Sequence, residues 1–390
     1  MDRSRALEKS ATASSSSTNQ APVPTHNTDR PGHQEDLPSL DSLPPMVPQV
    51  VAENLTLQPV QHIDEILGYT DGEICFPCNA TVGMENLGNT CYANSLLQAL
   101  SALTPVQHWT RQHITWHSHA NSFCLLCTLG HDLTKLVSSP HPQVTTPTTV
   151  LMLEHWCPMF EEGRQQDVSE FWTTLRDCCN AVDLESYALI DAELSRFSPV
   201  RYTTPFWNIF GIKGYDMTTC NTCGQTVTSH WYRSELQVEI PPGRQQSLQT
   251  CIRQYFASSP LTDSNDKCED RCKRRRCRCK QAFVTVWPQI LTVLIKRWIP
   301  VGEPGVYIKE HRPVTLPQIL RDLTGDATVE YTLRAAVVHQ GQAGGGHYVN
   351  LTKDRDNDSW IHSSDTIITR IATSMPEQLQ QAFLIFYERV

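Results

Sequence analysis

The sequence predicts an α+β protein, with helices gathered in the first half of the chain and strands in the second. Two patterns carry this reading. Between Cys91 and Val182 apolar residues recur at helical spacing, as in Leu96, Leu100 and Leu103. Beyond Gln237 the apolar runs are short, β-branched or aromatic, and bounded by Pro, Gly or polar turns. Helices followed by strands point to α+β and away from a doubly wound sheet. No internal repeat is visible.

Taken in order, Met1 to about Leu67 is rich in Ser, Thr, Pro, Gln and Asn. It has too little apolar surface to offset the entropy of ordering. Residues 1–75 are therefore expected to be a disordered, solvated tail, with Val50–Leu57 as a brief ordered or partner-binding patch in the other reading, and residues 76–390 to form the folded part. Helices are predicted at Cys91–Leu103, capped by Asn89 or Thr90, and at Phe123–Leu136, Thr149–Phe160 and Gln166–Val182. Strands are predicted at Gln237–Ile240, Phe283–Trp287, Ile290–Trp298, Thr328–Val338, Tyr348–Leu351 and Ala382–Tyr387.

Composition narrows the setting. A formal net charge of −9 over 390 residues argues against a general nucleic-acid binder. No apolar run approaches the ~18–20 residues of a membrane span. Met1–Gln20 lacks the apolar centre of a secretory signal. Fifteen cysteines in a chain of this length, with no export signal, suit a reducing intracellular compartment, nucleus or cytoplasm. There they would serve as metal ligands, a nucleophile and core residues.

The candidate nucleophile is Cys91. It follows Gly83-Met84-Glu85-Asn86-Leu87-Gly88-Asn89-Thr90, where a Gly/Asn-rich turn enters a helix. Free N–H groups and the helix dipole favour a thiolate there, which predicts a lowered thiol pKa. Asn86 could donate its amide to a developing oxyanion. Among fifteen histidines, His347 sits in a comparable setting, after Gly344-Gly345-Gly346 and between two strand-like runs. Those glycines would let an extended peptide lie close to the backbone. His339 is read as a structural strand-end residue, and the remaining histidines as solvated surface or loop positions.

These segments resemble the Cys and His boxes of the ubiquitin-specific proteases, papain-like cysteine peptidases. Gln165-Gln166-Asp167-Val168-Ser169-Glu170-Phe171 resembles a third block of that family, Ile295-Lys296-Arg297-Trp298 a fourth, and Thr332–His347 a fifth. The resemblance implies a helical thumb (about 81–195), β fingers (about 200–285) that grip ubiquitin, and a β-sheet palm (about 286–390). It implies a deubiquitinase that cleaves after the C-terminal glycine of ubiquitin, acts on ubiquitinated proteins, and uses no cofactor in the chemistry. Asp167 and Glu170, with Gln166 beside them, match positions that bind the basic ubiquitin tail. Two acids one helical turn apart can hold arginine through charge-assisted bonds.

One position departs from the family. Where a third triad residue is usually Asn or Asp, the register from Trp360 gives Ser364, followed by Asp365. A hydroxyl can orient an imidazole but stabilises imidazolium less than a carboxylate does. An active but slower enzyme is therefore expected, oriented by Ser364, or by Asp365 if the strand bulges. The alternatives are a non-catalytic ubiquitin-binding module and a protease for a ubiquitin-like modifier.

Cys220-Asn221-Thr222-Cys223, followed by Gly224, and a second group of Cys268, Cys272, Cys277 and Cys279 could hold structural tetrahedral zinc. Such a site resembles one that many family members keep at the fingertips. Cys268 and Cys272 are the preferred partners of the first pair, with Cys277 and Cys279 as alternatives. Cys124 and Cys127 fall on an apolar helical run and are read as core; Cys75 and Cys78 lie in a loop before the Cys box, and a second zinc site made by these two pairs is the other reading. The basic run Lys273–Arg276, continuing to Lys280, is read as a solvated loop around metal ligands, with a nuclear address as the other reading.

Overall fold

The stripe at Leu96 and Leu100 folds into helix α1 (Cys91–Ser101), and every residue of α1 is buried. An amphipathic surface helix would leave one face wet. This one instead runs between the other helices and a large sheet, so both of its faces meet apolar side chains. The computed structural model describes residues 82–390 except 118–123, 139–142, 158–159, 161–162, 164, 189–203, 263–266, 269–270, 303–305, 325–328, 344 and 356. The predicted tail, residues 1–75, lies outside the described residues, as do Cys75 and Cys78.

Around α1 pack α2 (Thr104–Trp116), α3 (Leu125–Ser138), α4 (Thr148–Trp156), α5 (Val168–Ala188) and α6 (Pro205–Phe210). Leu125, Leu126 and Leu129 of α3 and Phe171 and Leu175 of α5 share one apolar core with Leu96, Leu97 and Leu100. Helices α2 and α6 were not foreseen. Helix α2 offers only Val106, Trp109 and the partly buried Ile114 to this core among polar neighbours, and α6 is six residues long. Inside the helical lobe Asp183 is 2 % exposed and accepts from Trp109 Nε1 at 3.3 Å and Phe206 N at 3.4 Å, tying α5 to α2 and α6.

A short parallel pair, β1 (Gly83–Met84) and β2 (Val144–Thr145), leads into the nucleophile loop. Beyond the helices, β3 (Ile212–Cys220), β4 (Thr226–Arg233), β7 (Ser259–Pro260) and β8 (Arg278–Val286) form a four-stranded antiparallel sheet in the order β4-β3-β8-β7. Between them β5 (Leu236–Val238), β6 (Gln246–Ser247) and α7 (Leu248–Phe256) turn away. β5 pairs with the large sheet, and Leu248 and Ile252 of α7 enter its second core. The span 200–285 is thus divided, not one continuous β extension.

The remaining strands are β9 (Ile290–Ile295), β10 (Trp298–Pro300), β11 (Tyr307–Lys309), β12 (Val314–Thr315), β13 (Ile319–Arg321), β14 (Glu330–Gln342), β15 (Gly345–Lys353), β16 (Trp360–Ser364), β17 (Ile367–Ile371) and β18 (Ala382–Arg389). Eight strands build the large sheet: β17-β16-β15-β14-β18-β9-β5, with β13 beside β14. Both faces are buried, so β9 is buried throughout and apolar but for Thr292. Ile290 and Leu294 face the helical core, while Leu291, Val293 and Ile295 face the second core.

The predicted strand Ile290–Trp298 is broken where Arg297 turns inward. That guanidinium is fully buried and donates to four main-chain carbonyls: Ala382 O, Glu310 O, Arg312 O and Gln380 O, at 2.8–3.0 Å. It ties the 310–312 segment to the residues that enter β18, a use of the planar fork that a lysine could not match. The predicted strand Thr328–Val338 continues to Gln342, so His339 lies inside β14, not at its end. Among the described residues no helix is long and apolar enough to cross a membrane.

Burial pushes the Asp183 carboxyl up to about 7 from an ordinary 3.8, against the pull of its two donors. The folded state then holds a proton that the unfolded chain has released, so stability falls as pH rises from about 4 to about 7 and is flat above. The slope from this group is at most about 1.4 kcal/mol per pH unit. Asp183→Asn should remove that slope. Urea denaturation of both proteins at a series of pH values checks it, and parallel slopes would contradict the assignment.

Candidate active site

The nucleophile loop is built by Asn86. Its Oδ1 accepts from Gly88 N at 3.1 Å and Thr90 N at 3.0 Å, folding the Gly/Asn-rich turn back on itself just before α1. Gly88 and Asn89 take left-handed conformations there, with φ of 97° and 64°. The turn delivers Cys91 to the first position of α1. Thr90 occupies the cap position without a side-chain cap bond; its carbonyl takes Ala93 N at 3.0 Å, and the N–H groups of Cys91 and Tyr92 stay near the sulfur.

Across the gap lies the β14–β15 hairpin. His339 pairs with Tyr348 and Gln340 with His347 in its register. Gly346 must be glycine, because a Cβ there would meet Gln340 O at 2.3 Å and His339 Nε2 at 2.5 Å. The reason is this close internal approach and not only room for a peptide. His347 Nε2 lies 2.8 Å from Ser364 Oγ on neighbouring β16. That contact engages Nε2, so Nδ1 is the ring nitrogen left for a second partner. The Cys91 sulfur rests against the main-chain N–H of Tyr348, the residue after His347, and also near the N–H groups of Tyr92 and Cys91 itself. The two chain segments, over 250 residues apart in sequence, therefore meet.

Asp365 takes a different place. β16 ends at Ser364 and β17 begins at Ile367, and in the tight turn between them Asp365 is left-handed, with φ 48°. Its carbonyl accepts from Met84 N at 2.9 Å, and Gly83 comes so close to Thr366 that a Cβ would lie 2.4 Å from its carbonyl oxygen. The carboxylate thereby receives Asn86 Nδ2 and Asn94 Nδ2, each at 2.8 Å. Ser364 faces the imidazole, and Asp365 holds the Asn86 amide.

Cys91 is 5 % exposed. Burial raises its thiol pKa above the ordinary value, Asp365 adds to the rise, and the N–H groups of Tyr348, Tyr92 and Cys91 only partly oppose them. The lowered pKa expected from the helix terminus is thus overturned: desolvation of a small buried sulfur outweighs the aligned N–H groups. His339, also buried, is driven down to about 4 by burial and by Lys309, whose Nζ lies 3.1 Å from its Nδ1. It stays neutral and packs edge-on to Trp298.

A cleft of about 480 Å³ opens beside Cys91, lined among others by Gln166, Asp167, Glu170, Trp298 and Tyr348. The two acids differ. Asp167 accepts through Oδ2 from Trp298 Nε1 at 2.7 Å and Tyr348 OH at 3.0 Å, and through Oδ1 from Ser169 N at 2.7 Å and from the Ser169 hydroxyl. Glu170 is exposed on the cleft wall; partial burial and then Asp167 raise its pKa. Gln165 Nε2 reaches Gly346 O at 3.5 Å across the cleft.

At the end of the four-stranded sheet, Cys220 closes β3 and a turn through left-handed Gly224 brings Cys223 beside it. The sulfurs of Cys220, Cys223, Cys268 and Cys272 all lie within 4.8 Å of one another and could hold a metal ion. Cys220–Cys272 and Cys223–Cys268 separations are 3.6 Å. Thiolates about 2.3 Å from a tetrahedral zinc would stand about 3.8 Å apart, so the set fits. Cys277 is a fifth sulfur, 3.4 Å from Cys220 and 4.0 Å from Cys272. Cys279 instead accepts from Asn221 Nδ2 at 3.1 Å. The basic run wraps this cluster, with Arg274 O accepting from Cys268 N and the Cys277 thiol. Sequence reading placed Cys124 and Cys127 in the core and the minor histidines in solvent. The structure instead brings this pair against His113 and His117.

A cysteine at a helix start, a histidine on a facing hairpin and a cleft between a helical lobe and a sheet define a papain-like thiol hydrolase fold with helical, palm-like and finger-like parts. The chain belongs to the ubiquitin carboxyl-terminal hydrolase family, whose sequence model matches residues 82–387. It is 26% identical over 314 residues to human ubiquitin carboxyl-terminal hydrolase 42, covering 79% of this chain and 23% of that protein. It is 27% identical over 374 residues to ubiquitin carboxyl-terminal hydrolase 19 of Arabidopsis thaliana, covering 88% of this chain and 51% of that one. The chain thus spans between about a quarter and about half of these relatives' length. Its fold is similar to that of the yeast SAGA DUBm (TM-score 0.67, 20% identity, 84% of this chain and 74% of that one). It is also similar to a SAGA DUB module bound to monoubiquitin (TM-score 0.65, 19% identity, 84% and 73%).

With its pKa raised, Cys91 is a neutral thiol in the free protein near pH 7, and its thiolate fraction grows with pH. Alkylation of Cys91 by iodoacetamide, followed by peptide mass spectrometry, should accelerate about tenfold per pH unit from roughly pH 6 to 8. A flat profile over that range would mean a thiolate already formed at rest.

Proposed function

We propose that this chain is a cysteine-type deubiquitinase that hydrolyses thioester, isopeptide or peptide bonds after the C-terminal glycine of ubiquitin. The observation that carries the reading is the meeting of the Cys91 sulfur with the hairpin that bears His347, at the head of a cleft open to an extended chain. Family membership and the likeness to a fold that binds monoubiquitin in a SAGA module support it.

In this reading His347 takes the Cys91 proton through Nδ1 as the sulfur attacks the glycine carbonyl. The oxyanion is received by the N–H of Cys91 and by the Asn86 amide. That amide has two protons; one points to Asp365 and the other is left for the substrate. His347 then protonates the leaving amine, and water, deprotonated by the same ring, cleaves the thioester. Ser364 fixes the imidazole. Asp365 acts at one remove, by aiming Asn86. Glu170, with Gln166 beside it, meets the basic ubiquitin tail, whereas Asp167, already holding Trp298, Tyr348 and the α5 terminus, shapes the cleft floor. No cofactor enters the chemistry. Zinc at Cys220, Cys223, Cys268 and Cys272 is structural and stiffens the fingers that grip ubiquitin. Free thiols throughout the described residues suit a reducing nuclear or cytoplasmic setting.

Hydrolysis of a ubiquitin–fluorophore conjugate tests the roles. Asp365→Ala should lower kcat about 10²-fold, as loss of an oxyanion donor does, and Ser364→Ala at least about tenfold. A Ser364→Ala enzyme at the wild-type rate would remove Ser364 from the mechanism. An electrophilic ubiquitin probe should trap Cys91. No adduct on folded protein would favour a ubiquitin-binding module, and labelling only by a ubiquitin-like probe would move the substrate class.

The fingertip metal has its own consequence. Cys220→Ser with Cys223→Ser should lose one zinc per chain by elemental analysis and melt at lower temperature. Bound zinc stabilises by about 4 kcal/mol when free metal is about 1,000 times its dissociation constant. An unchanged zinc content would discard these ligands.

A further inference from the structure

The fingertip cluster has one sulfur more within reach than a tetrahedral ion needs. Cys220, Cys223, Cys268 and Cys272 have sulfurs within 4.8 Å of one another and fill the four corners. Cys277 stands outside that set, yet its Sγ is 3.4 Å from Cys220 Sγ and 4.0 Å from Cys272 Sγ. Its place is fixed by the chain around it. Lys273 and Arg276 take left-handed conformations, with φ of 54° and 51°, and fold the segment from Cys272 to Cys277 into a tight loop. Asn221 N donates to Cys277 O at 2.7 Å, which ties that loop to the turn between β3 and β4. The Cys277 thiol donates to Arg274 O at 3.2 Å, which holds the sulfur beside Cys220. Cys277 is partly exposed and, among the described residues, belongs to neither apolar core, so packing does not account for it.

We propose that Cys277 is a site of oxidative modification, at which a peroxide joins it to Cys220 and expels the fingertip zinc. The proposal rests on zinc being held by Cys220, Cys223, Cys268 and Cys272. Cys277, the sulfur the ion does not use, reacts first. Its thiol takes one oxygen from hydrogen peroxide, giving a sulfenic acid and water. The sulfur gives up two electrons, and the O–O bond of the peroxide takes them. The Cys220 sulfur, 3.4 Å away, then attacks the sulfenic sulfur. The S–S bond forms as the zinc–sulfur bond breaks, and the hydroxyl leaves as water with a proton from solvent. Three thiolates remain where a closed structural site needs four ligands, and the ion is released. Its loss undoes the link between Cys223 on the β3–β4 turn and Cys268 on the loop before β8. A thiol reductant reopens the disulfide and restores the four-sulfur cage, so the change is reversible. The nucleophile is shielded from the same reagent: Cys91 is 5 % exposed, whereas Cys272 and Cys277 are partly open to solvent.

The test uses the full chain, loaded with zinc, reduced, and then freed of reductant. Hydrogen peroxide should release one zinc per chain into a chromogenic zinc indicator, and dithiothreitol with added zinc should restore it. Peptide mass spectrometry without reduction, after alkylation of the remaining thiols, should find Cys220 joined to Cys277. Cys277→Ser spares all four ligands. It should hold as much zinc as the wild type before treatment and keep it under the same peroxide dose. Release from Cys277→Ser at the wild-type rate, or a disulfide that leaves out Cys277, overturns the proposal. The disulfide map needs no variant, so a Cys277→Ser chain that fails to fold does not shelter the idea. The two readings fail differently. If Cys220→Ser with Cys223→Ser leaves the zinc content unchanged, both fall; a fingertip zinc that peroxide leaves in place sinks the oxidation alone.

Discussion

The Asp167 carboxylate is the point on which the two halves of the site depend. Through one oxygen it holds the indole of Trp298 and the hydroxyl of Tyr348, both on the sheet side. Through the other it holds Ser169 at the start of α5, on the helical side. Tyr348 in turn presents its N–H to Cys91 and follows His347 in β15. A partly buried anion taking four hydrogen bonds has little freedom to rotate. The distance between nucleophile and base is thereby tied to a carboxylate that needs to touch neither. The same bonds set Asp167 apart from Glu170, which faces the cleft with its valences open.

Arg297 plays a comparable part deeper in the sheet. Its fork gathers carbonyls from the 310–312 segment and from the residues that lead into β18. Burial draws its pKa down to about 10, which still leaves the group charged at neutral pH. Replacing one partner of so buried a charge leaves the carbonyls without donors, and such losses commonly cost several kcal/mol. The adjacent hairpin of β10 and β11 borders the cleft through Trp298 and Tyr307. Arg297 therefore fixes cleft shape at a distance, as Asp167 does at close range.

Much of this was legible in the sequence where local chemistry decides it. The turn-to-helix entry of Cys91, the glycines before His347 and the β-branched runs of β9, β14 and β18 all signal themselves within a few residues. What stayed hidden depends on partners far along the chain. Helix α2 shows little apolar periodicity because part of its surface is given to His113 and His117, whose partners lie beyond it. β3 and β4 are half-exposed and polar, so their alternation is faint. The thiol pKa went the wrong way because helix position is local and desolvation is not. The i, i+4 spacing of His113 and His117 beside a CxxC pair was the one available signal for the thumb cluster.

The serine at position 364 follows from the same geometry. β16 and β17 are joined by a tight turn, and β1 packs so closely on it that Gly83 admits no side chain there. The turn aims the Asp365 carboxylate at Asn86 and Asn94 and away from the imidazole. Its charge raises the thiol pKa instead of stabilising an imidazolium. Behind His347 stands only the Ser364 hydroxyl. The anion is instead placed where it orders the Asn86 amide, the donor of the proposed oxyanion site. Such a site favours proton transfer in step with attack over a nucleophile charged in advance, and it leaves the resting cysteine less open to unwanted oxidation or alkylation.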